Sequence, residues 1–134
     1  MTANADLCLI YHMGNKILVV DDDPEISSLV QYTLEALGHT VRVCDNGREV
    51  LDTLRSYKPE LLVLDVMLPG IDGYSLAAQI AEDETLKTMP IVVLSALEPS
   101  RAMFQRFSQV ASFLTKPFNT DDLTEAIKNA LAKK

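Results

Sequence analysis

Apolar positions along this 134-residue chain fall into two rhythms. Short unbroken runs, Ile17-Leu18-Val19-Val20 and Leu61-Leu62-Val63-Leu64, have the length and β-branched character of strands buried on both faces. Between them, Ile26, Leu29, Val30, Leu34 and Leu37 recur at helical spacing. Asp23 is placed to cap that helix, Pro24 and Glu25 to open it, and Gly38 to close it. Thr40 to Cys44 alternates, as an edge strand would, and Asn46-Gly47 leads into a second helix with Val50, Leu51 and Leu54, ended by Pro59.

The same alternation continues to the end of the chain. After the strand that ends at Asp65, the turn-rich Pro69-Gly70 and Asp72-Gly73 precede a helix from about Tyr74 to Ala81. Pro90 announces a strand from Ile91 to Leu94 that ends at Ser95. A fourth helix is predicted near Arg101 to Gln109, and a last strand from Ser112 to Thr115 precedes Lys116-Pro117-Phe118. Asn119 or Thr120 then caps a final helix with Leu123, Ile127, Ala130 and Leu131 on one face. Five strands and five helices in strict alternation predict an α/β fold: a doubly wound parallel sheet with helices on both sides.

Bulk composition adds limits. The length suits one domain over residues 15–134, with residues 1–14 expected to be a poorly ordered extension and Met13 a second candidate start. A net charge of -7 argues against phosphate-backbone binding by this domain, so no nucleic-acid contact is expected. Cys8 and Cys44 match neither a zinc spacing nor a disulfide scaffold, and the apolar stretch from Leu7 to Tyr11 is too short for a signal peptide or membrane span. A cytoplasmic protein with no membrane association is expected.

The strand ends carry the chemistry. Asp21-Asp22-Asp23 follows the first run and Asp65 ends the third strand. In open α/β sheets the ligand site lies beyond the carboxyl ends of the strands. If the two strands are neighbours, carboxylates converge there. Like charges about 4 to 5 Å apart repel by roughly 4 kcal/mol per pair at an effective dielectric near 20, so the cluster calls for a hard cation such as Mg²⁺ or for a proton. Ser95 and Lys116 add a hydroxyl and an ammonium at the ends of two further strands. An aspartate beside a divalent ion can act as a nucleophile toward a phosphoryl group. Asp23 reads as a helix cap rather than a ligand, and neither His12 nor His39 is assigned a ligand role.

From Lys16 to Leu131 the sequence resembles the receiver domain of two-component response regulators, through ILVVDDDPEI at 17–26, LLVLDVMLPGIDGY at 61–74, PIVVLSA at 90–96 and FLTKPF at 113–118. The resemblance implies a flavodoxin-like fold with strand order 2-1-3-4-5, an order that general fold rules cite for a member of this family. It implies that Asp65 accepts phosphate from a phosphohistidine of a sensor histidine kinase or histidine phosphotransfer protein. Asp21, Asp22, Asp65 and the Met67 carbonyl would hold Mg²⁺, while Ser95 and Lys116 would bind the phosphoryl oxygens. Ser95 would draw inward and let Phe113 turn in, reshaping the surface of the fourth helix, fifth strand and fifth helix, where a homodimer or output partner would dock. A cis Lys116-Pro117 bond is implied too. Met67 and Leu97, two residues beyond acceptor and hydroxyl, would give slow autodephosphorylation.

Some features depart from that pattern or leave room for others. Gln109-Val110 stands where the family commonly has Gly-Ala, and the Ser95 to Lys116 interval is one residue short. Met103, Phe104, Phe107 and Val110 make a wide apolar stripe, read either as core with one exposed ring or as a partner patch. The alternatives are a pseudo-receiver that binds without taking phosphate and a haloacid-dehalogenase-like phosphatase using Asp21. The second would use Asp21 and Asp23 as a D-x-D, but Glu25 stands two residues after Asp23, where its motif needs Thr or Val, and Ile26 is three residues on.

Overall fold

The computed structural model describes residues 14–67, 72–96, 102 and 104–132. The expected extension, Met13, Leu97 and Met103 lie outside the described residues. Five strands, β1 (Lys16–Val20), β2 (Thr40–Cys44), β3 (Leu61–Asp65), β4 (Ile91–Ser95) and β5 (Val110–Thr115), form one sheet of order β2-β1-β3-β4-β5. Every pairing is parallel. Four helices lie among the described residues: α1 (Pro24–Ala36), α2 (Gly47–Tyr57), α3 (Gly73–Glu82) and α4 (Thr120–Ala132).

Strand alternation divides the core in two. Leu18, Val20, Leu62, Leu64 and Val93 point to the side covered by α2 and α3, where they meet Val50, Leu54, Leu76 and Ile80. Ile17, Val19, Leu61, Val63 and Leu94 point to the other side and meet Val30 and Leu34 of α1 with Leu123 and Ile127 of α4. All of these side chains are fully buried. That is why the central strands read as continuous apolar runs: both faces are dry.

Short polar side chains set the helix starts. Asp23 Oδ1 accepts the Glu25 N–H at 2.9 Å, Asn46 Oδ1 accepts the Arg48 N–H at 2.8 Å, and Asp72 Oδ1 accepts the Ser75 N–H at 2.8 Å. Between the two candidate caps of the last helix, Asn119 takes the role, accepting the Asp122 N–H at 2.7 Å. These bonds satisfy N–H groups that have no partner within the helix.

The predicted fourth helix from Arg101 to Gln109 is the main correction. Ala102 and Phe104 have helical backbone, but Phe107 and Val110 donate to carbonyls three residues back, of Phe104 and Phe107, and the chain from Gln105 to Gln109 runs in turns. Side-chain bonding competes with helix propagation here. The Gln109 amide donates to the carbonyls of Leu86 (3.1 Å) and Met89 (2.7 Å), tying this segment to the connection before β4. Gln109 also offers its own carbonyl to the Ile91 N–H at 2.8 Å. A continuing helix would need that carbonyl internally.

Strand β5 starts two residues earlier than the sequence suggests and carries an irregularity. Ile91 pairs with Val110 and Val92 with Ser112, leaving Ala111 as the extra residue. The shift lets Val110 and Phe113, three apart, both pack on the α2/α3 side.

Candidate functional site

Register brings the acids together. Val20 of β1 pairs with Leu64 of β3, so Asp21 and Asp65 leave adjacent strands at the same level. Asp21 is 1% exposed and Asp65 4% exposed, while Asp22 faces solvent. Carboxylate oxygens of Asp21, Asp22 and Asp65 all lie within 4.8 Å of one another. Among the described residues no other group of His, Cys, Asp and Glu side chains meets that geometry.

Lys116 reaches the cluster from the far edge of the sheet. Its backbone N–H donates to the Ser95 carbonyl at 2.7 Å, extending the β4–β5 ladder by one bond. The Lys116–Pro117 peptide is cis. The ammonium donates to Asp21 Oδ2 at 3.1 Å and lies 3.5 Å from Asp65 Oδ1. The other Asp21 oxygen accepts the Asp23 N–H at 2.9 Å, and Asp65 Oδ1 also accepts the Met67 N–H at 3.3 Å. Met67 itself is 62% exposed. Ser95 is completely buried at the end of β4, beside Thr115.

The electrostatics follow from this crowding. Burial, then the charge of Asp21, pushes Asp65 up from 3.8 to about 6, against the pull of Lys116 and the Met67 N–H. For Lys116, burial opposes the charged form, but the Asp21 hydrogen bond and the charges of Asp65 and Asp21 outweigh it and raise the ammonium above its ordinary value. One cation thus serves two buried acids with a third beside them. Clustered oxygen donors that are short of positive charge match the preference of Mg²⁺ for carboxylate and carbonyl ligands.

A glycine makes the close approach possible. The Gly73 N–H donates to the Val66 carbonyl at 2.8 Å, and a Cβ there would stand 2.8 Å from the Val66 Cα and 3.1 Å from the Asp65 carbonyl oxygen. The start of α3 is therefore pressed against the backbone that carries Asp65. In the sequence Asp72-Gly73 reads only as a turn. A glycine within reach of a strand end was the available signal.

The other singled-out residues separate into distinct places. Asp23 is engaged as the α1 cap. Phe113 sits opposite Val93, half-buried, with its ring 6.3 Å from that of Phe104. Phe104 is 1% exposed, and Phe107 and Val110 are half-buried, so the apolar stripe is mostly core. His39 is distant from the acids in role: its Nδ1 accepts the Asn15 N–H at 3.0 Å. A cavity of about 560 Å³ opens by Leu54, Leu86 and Met89 at the opposite end of the strands, away from the carboxylates.

Comparison with known families settles the kinship. The family model described as the response regulator receiver domain matches residues 17–128. This chain belongs to that family. The receiver is 33% identical over 119 residues to the DNA-binding dual master transcriptional regulator RpaA of Synechocystis, covering 88% of this chain and 49% of RpaA. It is 34% identical over 128 residues to the alkaline phosphatase synthesis transcriptional regulatory protein PhoP of Bacillus subtilis, covering 90% and 50%. The chain spans about half the length of these curated relatives.

Solved structures agree in fold. The response regulator TrrA of Thermotoga maritima, solved in complex with Mg(2+)-BeF, superposes with a TM-score of 0.77 at 32% identity, covering 87% of this chain and 98% of that one. The receiver domain of sensor histidine kinase PA1611 from Pseudomonas aeruginosa, with a magnesium ion in its active-site cleft, gives 0.79 at 26% identity, covering 89% and 98%. No helix among the described residues of the receiver is long and apolar enough to cross a membrane.

Proposed function

We propose that this receiver is the phosphoacceptor of a two-component phosphorelay, with Asp65 as the nucleophile. The observation that carries it is the buried Asp65 carboxylate, held beside Asp21 and 3.5 Å from the Lys116 ammonium. A carboxylate oxygen of Asp65 attacks phosphorus of a phosphohistidine on a histidine kinase or phosphotransfer protein. An O–P bond forms, the P–N bond breaks, and the imidazole leaves and takes up a proton. The product is a mixed anhydride on Asp65.

Lys116 and the Ser95 hydroxyl would hydrogen-bond the phosphoryl oxygens, placing fixed positive charge and a donor where negative charge accumulates. Asp21, Asp22, Asp65 and the Met67 carbonyl would hold Mg²⁺. Bound there, the ion supplies the charge that offsets three carboxylates and the incoming phosphoryl. Relocation of Ser95 toward the phosphoryl group would release space for Phe113 and bias the β5 and α4 surface between two arrangements.

The phosphatase alternative using Asp21 is disfavoured by geometry. Both Asp21 oxygens are engaged, and Asp23, which would be its acid partner, caps α1. A pseudo-receiver is disfavoured by the full set of acids with Lys116. The deciding experiment is intact mass spectrometry after incubation with Mg²⁺ and a small phosphodonor. One phosphoryl mass is expected on the natural sequence and none on Asp65→Asn. An equal gain on both would refute the assignment.

A further inference from the structure

Four rings and a guanidinium form one continuous cluster, its rings edge-on or tilted to one another, on the α2/α3 side of the sheet. Tyr74, in the first turn of α3, lies 5.3 Å from Phe107 and 5.8 Å from Phe104, measured between ring centroids. Phe104 in turn lies 6.3 Å from both Phe107 and Phe113. Arg106 covers the cluster from outside, 6.0 Å from the Tyr74 ring and 5.6 Å from the Phe107 ring, and donates from Nη1 to the Tyr74 hydroxyl.

Two properties make this more than core packing. Phe104 is 1% exposed and touches Tyr74, Phe107 and Phe113 together. Half-buried Phe113 packs its ring on Phe104, which Tyr74 and Phe107 hold, so a change in the seating of Phe113 must break or remake that contact. Tyr74 is also anchored: its neighbour Gly73 is bonded to the Val66 carbonyl, one residue from Asp65. Because the chain from Gln105 to Gln109 runs in turns, the Arg106 clasp and the Gln109 amide bonds fix it to the domain.

We propose that Tyr74, clasped by Arg106, is a positioning residue for the switch: acting through Phe104, it holds Phe113 in its half-exposed seating and so sets how strongly phosphoryl capture is coupled to this face. The inference rests on the phosphoacceptor role of Asp65. Any contact that favours one seating of Phe113 must weaken a ligand that requires the other, and the two effects are reciprocal. Loosening the clasp therefore strengthens phosphoryl-like ligands without altering any residue at the acids.

The test titrates Mg²⁺ and beryllofluoride onto the full chain, its Tyr74→Leu and Arg106→Gln variants, and Tyr74→Phe, which keeps the ring but loses the hydroxyl. Incorporated 4-fluorophenylalanine reports Phe113 by ¹⁹F NMR, with Phe113→Leu assigning the signal. Both clasp variants should bind beryllofluoride about fivefold more tightly, within the range of ordinary coupling. Their Phe113 signal should move before any ligand is added, and Tyr74→Phe should fall between. Unchanged or weaker affinity with an unmoved Phe113 signal overturns the proposal. Should Tyr74→Leu fail to fold, the exposed Arg106→Gln carries the same readings. If the natural sequence binds no beryllofluoride, the role of Asp65 fails by itself, and an unmoved Phe113 signal in the variants then removes the clasp as well.

Discussion

The Lys116 ammonium and the Asp21 carboxylate meet at 3.1 Å although 95 residues separate them. The Asp21 side chain is fully buried and that of Lys116 is 18% exposed, so water does little to replace the pairing. Lys116→Met leaves Asp21 and Asp65 without their shared cation. The expected loss is about 3 kcal/mol near neutral pH, as when one partner of a buried pair is removed. Phosphoryl uptake should fall at least about tenfold, because the ammonium no longer meets the transferring charge. Denaturant titration and timed intact-mass measurements check the two effects; unaltered uptake would dismiss the role of Lys116.

Asp65 makes stability depend on pH in an unusual direction. The native carboxyl keeps its proton up to about 6, whereas the unfolded chain releases it near 3.8. The folded state binds more protons in that window, so this contribution is fully present below 3.8 and is lost as pH rises through about 6. Asp65→Asn should therefore be more stable than the natural sequence near pH 8, and show little gain below pH 4. Urea midpoints across pH provide the check.

His39 has the opposite sense. Burial lowers its pKa from 6.5, with the charge of Glu60 opposing, and its Nδ1 must be unprotonated to accept the Asn15 N–H. Stability from this group is present above 6.5 and is lost as pH falls toward the folded value. In an Asp65→Asn background, which removes the competing effect, stability should decline on acidification below pH 6.5. His39→Gln should flatten that decline. A decline equally steep in the double variant would assign it elsewhere.

Magnesium should stabilise the chelator-stripped receiver. A ligand that binds only the native state at one hundred times its dissociation constant contributes about 2.7 kcal/mol, which is several degrees in melting temperature for a domain this size. Asp22→Asn should abolish the rise while changing the metal-free melting point little, since Asp22 is exposed. Thermal shift with Mg²⁺ and with a chelator reads both. A full shift in Asp22→Asn would remove that residue from the ligand set.

Gly73→Ala tests the close approach of α3. The new Cβ would stand 2.8 Å from backbone, which cannot rotate away as a side chain can. A cost of about 1–3 kcal/mol is expected, as for overpacking, along with slower phosphoryl uptake. Gly38→Ala is the comparison: its φ of 97° strains an alanine, but the space around it is open. A cost of about 1 kcal/mol with normal uptake is expected there. Equal uptake in both variants would show that the approach of α3 does not position Asp65.

Much of this protein was legible in one dimension because its local signals agree. The apolar runs at 17–20 and 61–64 read as strands buried on both sides, and Asp23 and Asn46 mark helix starts by the bonds their side chains make. Adjacency of the first and third strands came from resemblance, and the pairing of Val20 with Leu64 fits it. Other features needed the folded chain. Whether the segment before β5 stays helical depends on what Gln109 finds to bond, and it finds the Leu86 and Met89 carbonyls. The extra residue at Ala111 alters which side of the sheet Phe113 faces, a change that no periodicity within five residues reveals. The contact between Gly73 and Val66 and the clasp between Arg106 and Tyr74 likewise join distant positions. Sequence by itself determined most of the elements and the polar residues at the strand ends, because propensity, capping and periodicity are local. Tertiary structure decided the register, the close approaches and the shared counter-ion, because those depend on which backbone groups and charges are left to be satisfied once the layers meet.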